Sequence, residues 1–183
     1  MRIVLIIDMT RLSSDTPALP IAHAALRIAI VLNWLMAVFI LVLLLVTPNR
    51  EWIMSALDLS PSLQADRVIL GLRAVAVLGL VAVPINYGIL KRLLAMVDTV
   101  RAGDPFVSAN ADRLRTIAWS LLAVQLLSIV IGAIGKSIST PGHPVNLDAG
   151  FSINGWLAVL LTFVLARVFA EGTHMRDDLA GTV

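Results

Sequence analysis

Arg73 is a charged side chain inside an otherwise apolar stretch that runs from Val68 to Leu90. Ionisable groups are costly inside a membrane, so they are functional candidates by default. Arg73 lies about 8 Å from the boundary of its stretch at the rise of a helix. Its long stem can therefore reach the headgroups. We favour this, or an ion pair with Asp66 or Asp148, over a ligand role.

Four amide side chains also interrupt apolar sequence, and they are Asn33, Asn86, Gln125 and Asn154. Hydrogen bonds between membrane helices through such groups contribute about 0.6 kcal/mol each. We therefore interpret these amides as structural contacts between helices. With Arg73 they are also the candidates for a polar path, although a path needs more such groups on one face. A small oligomeric transporter or channel is thus the alternative hypothesis.

The histidines and carboxylates offer little chemistry. Glu171, His174 and Asp178 share one helical face, and Glu-x-x-His pairs do ligate metals in helical bundles, but two pairs with further carboxylates are needed. His23 and His143 are isolated, and the chain has no cysteine. We predict no metal site and no cofactor. Without paired carboxylates, a histidine cluster or an activated nucleophile, an intramembrane enzyme is the last-ranked hypothesis.

The elements that carry these residues are long apolar runs. The chain is 58% hydrophobic and 14% charged, whereas soluble domains carry about 25% charged residues. About 20 apolar residues span the hydrocarbon as a helix, and these runs lack the alternation of barrel strands. We predict a single-domain, all-α membrane protein with four transmembrane helices in an antiparallel bundle, with spans at about 26–46, 68–90, 116–136 and 151–170.

The basic residues predict the orientation. With the N-terminus inside, ten Lys and Arg side chains fall on the inner side and four fall outside, namely Arg50, Arg67, Arg73 and Lys136. Because Lys and Arg in short loops favour the cytoplasm, we expect both termini to be cytoplasmic in a bacterial inner membrane. The net charge of +2 gives no reason to expect direct nucleic-acid binding. The apolar run 3–7 is too short for a secretory signal, and Met9 is an alternative start to Met1.

Helical periodicity continues outside two of the spans. After Leu90 the apolar positions repeat to Val100, and 103–105 (Gly-Asp-Pro) is a strong turn signal. Ser108 or Asn110 can cap the next helix. Helices two and three should therefore extend into the cytoplasm as a basic hairpin. Residues 51–58 predict a short amphipathic helix on the outer surface, anchored by Trp52. Thr16-Pro17 predicts the start of the first helix.

The cytoplasmic candidates for interaction with a partner come from this hairpin and the C-terminal tail, and they are Arg101, Asp104, Phe106, Arg113, Arg115 and Arg176. The basic members can also bind anionic lipid headgroups. Ser128 and Gly132 form a small-xxx-small step, which permits close approach of another helix. The spacing is compatible with a contact inside the bundle or with a homo-oligomer.

Two segments, RAGDPFVSANADRLRTIAW (101–119) and FSINGWLAVLLTFVLARVFAEGTHMRDDLAGTV (151–183), resemble a family of small bacterial four-pass membrane proteins of unknown function. Members are often encoded beside a small Xre-type helix-turn-helix regulator, so the resemblance implies a transcription factor as partner. It supplies no activity and no catalytic residues. The leading hypothesis is a regulatory or interaction module in the lipid bilayer that signals to a cytoplasmic protein partner.

Overall fold

The computed structural model describes residues 18–46, 63–139 and 149–180. This part of the chain forms four helices: α1 (Ala18–Val46), α2 (Leu63–Arg101), α3 (Ser108–Ile138) and α4 (Ile153–Ala180). All four are long and apolar enough to cross a membrane, which confirms the prediction of four helices of this kind. The predicted outer helix at 51–58, the signal at Thr16-Pro17, and the residues His143 and Asp148 lie outside the described residues.

Helix α2 is much longer than a membrane span requires. It has 39 residues with Pro84 in its interior, and it measures about 58 Å at 1.5 Å per residue. The hydrocarbon core is about 30 Å thick. The helical periodicity that continued past Leu90 in the sequence is therefore real, and α2 extends well beyond its most apolar segment.

Helix α1 packs on α2 through contacts spaced along both helices. His23 Nε2 lies 3.5 Å from Asp98 Oδ1, and Asn33 Nδ2 donates to the Val83 carbonyl at 3.2 Å. His23 was expected to be isolated, and that expectation is wrong, because its partner comes from another helix. Most apolar side chains of α1 are exposed, as on a helix whose other faces contact lipid.

The best-buried apolar side chains lie on α3, where Leu114, Ile117 and Ala118 are almost inaccessible. Helix α3 packs on α2 on one side and on α4 on the other. Like α2, which packs on α1 and α3, it lies between two neighbouring helices, and residues near its start are close to both.

The step from Ser128 to Gly132 makes a contact inside the chain. Ser128 Oγ accepts from the Gly150 N–H at 3.1 Å, and it lies 3.3 Å from the Gly150 carbonyl. A Cβ atom at Gly132 would lie 2.6 Å from the Ala149 carbonyl oxygen. The sequence allowed a contact inside the bundle or a contact with a second copy. In the structure this step packs α3 against the segment that precedes α4.

Candidate functional site

Helix α2 ends in a glycine-dependent turn. Gly103 has a positive φ of 81°, and its N–H donates to the Val100 carbonyl at 3.0 Å, while the Asp104 N–H donates to the Thr99 carbonyl at 3.0 Å. These two bonds form the Schellman arrangement that closes helix C-termini around a left-handed glycine. The predicted stop at 103–105 is confirmed, and its backbone is fully defined.

Asn110, in the first turn of α3, makes hydrogen bonds to both sides of this turn. Its side chain is 0% exposed, and its amide nitrogen donates to Thr99 Oγ1 at 2.7 Å and to the Pro105 carbonyl at 2.8 Å. Its amide oxygen accepts from Arg113 at 2.7 Å. Thr99 in turn donates to the Met96 carbonyl at 2.7 Å. Asn110 therefore joins the end of α2, the turn and the start of α3.

The predicted helix cap at Ser108 or Asn110 is wrong. Val107 occupies the N-cap position of α3, without a side-chain cap hydrogen bond. The Asn110 N–H is satisfied instead by the Val107 carbonyl at 2.8 Å. A cap must accept a hydrogen bond from the backbone, whereas the Asn110 amide nitrogen is used as a donor to Thr99 and Pro105.

The end of α4 is attached to the same turn. Arg176 Nη1 donates to the Asp104 carboxylate and to the Phe106 carbonyl at 3.1 Å. The Phe106 ring packs on Phe169 with centroids 5.4 Å apart, and a Cβ atom at Gly172 would lie 3.2 Å from it. The polar and aromatic contacts therefore act together at one place.

We name this arrangement the turn cluster, and its members are Thr99, Asp104, Phe106, Asn110, Arg113, Phe169 and Arg176. It brings together four of the six side chains proposed for partner contact. The other two, Arg101 and Arg115, are exposed and make none of these contacts. Thr99 and Phe169 were missed, and Asn110 was assigned the wrong role, because each finds its partner through tertiary packing.

The amides within the apolar helices bond to backbone. Gln125 is 7% exposed, and its Nε2 lies 3.4 Å from the Ser152 carbonyl. Asn33 donates to α2, as described above. Arg73 and Asn86 are half-buried on α2, and Asn154 is exposed near the start of α4. Asn33 and Gln125 thus act as the structural contacts that the sequence favoured, at separate places in the fold.

The face of α4 that carries Glu171 and His174 is not arranged as a metal site. Glu171 lies 3.8 Å from Arg167 as an i,i+4 ion pair. Among the residues that the structure describes, no three His, Asp or Glu side chains are grouped as metal ligands would be. In the turn cluster, the side chains of Asn110 and Arg176 make their hydrogen bonds to other groups of the cluster and its turn. These contacts hold the turn and the end of α4 together.

The four helices that the described residues form are long and apolar enough to cross a membrane, as in multi-pass membrane proteins. The family described as protein of unknown function (DUF2975) matches residues 49–183, and the chain belongs to this family. The matched range contains the whole turn cluster and both segments that carried the resemblance, and it begins after α1. No curated protein and no solved structure matches the chain.

Proposed function

We propose that this chain is a regulatory or interaction protein of the bacterial cytoplasmic membrane, and that its turn cluster binds a cytoplasmic protein partner. The observation that carries the proposal is the contact of Arg176 with Asp104 and Phe106. It joins the end of the last helix to the turn between α2 and α3. A surface assembled from two distant segments, beyond the most apolar sequence, has a defined shape that a partner can recognise.

The proposed topology is an antiparallel bundle with both termini in the cytoplasm. Its support is the order of the contacts, since His23 meets Asp98 and Asn33, later in α1, meets Val83, earlier in α2. The excess of Lys and Arg on the proposed inner side gives the direction. The turn cluster then lies on the cytoplasmic side, together with the end of α4.

The exposed chemistry around the turn cluster indicates the type of partner. Phe106 is 43% exposed and Met175 is 59% exposed, and the basic side chains Arg101 and Arg115 are also open to solvent. Arg together with aromatic and Met side chains is enriched in protein interfaces. A partner with an acidic rim and an apolar centre would complement this surface. The resemblance implies an Xre-type helix-turn-helix regulator as the first candidate.

The transporter or channel alternative has less support. Asn33 and Gln125 are engaged with backbone carbonyls, so they stabilise helix packing in the state described. Because these amides already bond to backbone carbonyls, few polar groups remain within the apolar helices to contact a permeating solute. We therefore keep transport as the second proposal.

The partner proposal can be tested by site-specific photo-crosslinking in native membranes. A photoreactive residue at Met175 in the full-length chain should give a discrete adduct with a cytoplasmic protein. The same residue at Leu157, which is also exposed but lies within the apolar part of α4, is the matched control and should not. Arg176→Gln should weaken the Met175 adduct. Absence of any protein adduct at both Met175 and Phe106 would contradict the proposal.

A further inference from the structure

A cavity of about 370 Å³ lies between α3 and α4, away from the partners of Asn110 and Arg176. Ala166 and Ala170 on α4 and Ala111 on α3 line it, and their small side chains leave the space between the helices. The volume equals about a dozen water molecules at their share of liquid volume. The cavity can therefore hold a polar group of several heavy atoms.

Charged side chains of both signs surround this cavity. Arg115 and Asp112 line it from α3, and Arg167 lines it from α4. Arg167 Nη2 lies 3.8 Å from Glu171, but these side chains are 83% and 61% exposed. Exposed pairs of this kind contribute little, so the Arg167 guanidinium can turn to a ligand. Two guanidinium groups and the Asp112 carboxylate line the cavity, and they complement a ligand that carries an anionic group and a cationic group.

The cavity lies at the level where the apolar spans meet polar sequence. Arg115 directly precedes the apolar run 116–136, and Arg167 is in the last turn of the apolar run 151–170. Trp119 is 57% exposed and packs edge-on against Phe163, which lines the cavity, with centroids 5.4 Å apart. Exposed Trp side chains mark the membrane interface. This position is the headgroup level for either orientation of the chain.

We propose that the cavity binds a phospholipid headgroup carrying a phosphate and a primary ammonium, as in phosphatidylethanolamine. The phosphate lies between Arg115 and Arg167, because guanidinium groups bind phosphate oxygens through paired hydrogen bonds. The ammonium faces Asp112, which has no role in the turn cluster. The acyl chains run along the exposed apolar face of α4, where Leu160 and Val164 are open to lipid. The proposal does not depend on a protein partner.

The experiment is native mass spectrometry of the intact protein released from micelles that contain three lipids at equal concentration. Phosphatidylethanolamine, phosphatidylcholine and phosphatidylglycerol with identical acyl chains are the probes. We expect the ethanolamine lipid to be retained preferentially. The double variant Arg115→Gln and Arg167→Gln should lower its retention at least about tenfold, because it removes charge-assisted hydrogen bonds. Asp112→Asn should abolish the preference for ethanolamine over choline.

Two further variants distinguish binding in the cavity from a general effect of the protein's charge on lipid retention. Ala170→Leu fills the space without changing any charge and should lower retention of the ethanolamine lipid. Lys136→Gln removes an exposed positive charge at the other end of α3, outside the cavity, and should leave retention unchanged. All the substituted charged positions are exposed, so the variants should fold, and gel filtration checks this. Equal retention of the three lipids, preference for phosphatidylglycerol, or full displacement by soluble glycerophosphoethanolamine at the lipid's concentration would overturn the proposal.

Discussion

Arg176 donates a hydrogen bond to the Asp104 carboxylate across 72 positions of sequence, and so attaches the end of α4 to the turn that follows α2. The same guanidinium bonds the Phe106 carbonyl at 3.1 Å. Both charged side chains are partly open to solvent. The attachment is therefore specific in geometry and modest in strength.

We predict that Arg176→Gln or Asp104→Asn loosens the end of α4 without unfolding the protein. Exposed ion pairs contribute about 0.2–1 kcal/mol, which increases local opening up to about fivefold. Amide hydrogen exchange of peptides from the last turns of α4 measures this opening. The reversed pair, Asp104→Arg with Arg176→Asp, should restore part of the protection.

The matched control is Arg167→Gln on the same helix. Arg167 pairs within α4, with Glu171, so its loss should not change the attachment of α4 to the turn. Equal exchange in the Arg176→Gln variant and the unsubstituted protein would show that the attachment does not hold the helix.

We predict that Asn110→Ala destabilises the fold by about 2 kcal/mol, because it leaves three half-buried partners without their hydrogen bonds to this buried side chain. Thr99, Pro105 and Arg113 each lose a bond to the Asn110 amide. Unfolding of the detergent-solubilised protein by SDS measures the change. Asn154→Ala, at an exposed position, is the control and should change stability by less than about 0.5 kcal/mol. Equal effects of the two variants would contradict the central role of Asn110.

We predict that Gly132→Ala is more disruptive than Gly79→Ala, although both glycines lie within long apolar helices. A Cβ atom at Gly132 would lie 2.6 Å from the Ala149 carbonyl oxygen, which is backbone. Overpacking of this kind costs about 1–3 kcal/mol. A Cβ atom at Gly79 would lie 3.4 Å from Ile40 Cδ1, the end of a flexible side chain. In thermal denaturation, the Tm of the Gly79→Ala protein should equal or exceed that of the unsubstituted protein, since Ala has a higher helix propensity than Gly.

The proposed topology predicts that a reporter fused after Val183 is active in the cytoplasm. A phosphatase reporter that requires export should be inactive at that position and active when inserted after Ser139, in the segment between α3 and α4. Periplasmic activity at the C-terminal fusion would refute the topology.

The helices were predictable from the sequence because membrane-crossing length and apolarity are local properties. The turn at 103–105 was predictable for the same reason, since Gly103 carries the positive φ itself. The connections of the turn cluster were not, because Thr99 and Asn110 are separated by a turn and Asp104 and Arg176 by two helices. Periodicity does not specify such distant pairs.

Arg113 and Arg115 show the same limit within one helix. The sequence grouped them as two basic side chains of one hairpin. Two positions along a helix differ by about 200° in direction, so Arg113 turns to Asn110 and Arg115 reaches the cavity beside α4. The Arg113 contact lies within α3, but the role of Arg115 depends on where α4 packs against α3, which a single helix pattern does not contain.

Pro84 divides α2 into two parts whose relative direction can differ. The 17 residues that follow Pro84, up to Arg101, extend about 25 Å at helical rise. Pro84 has no N–H to bond the preceding turn, so bending is easiest at this point, and Asn33 holds the adjacent Val83 carbonyl at 3.2 Å. A rotation of about 10° there moves the end of α2 by about 4 Å. That displacement exceeds a hydrogen-bond length, so the direction of α2 after Pro84 must be held closely for Asp104 to meet Arg176.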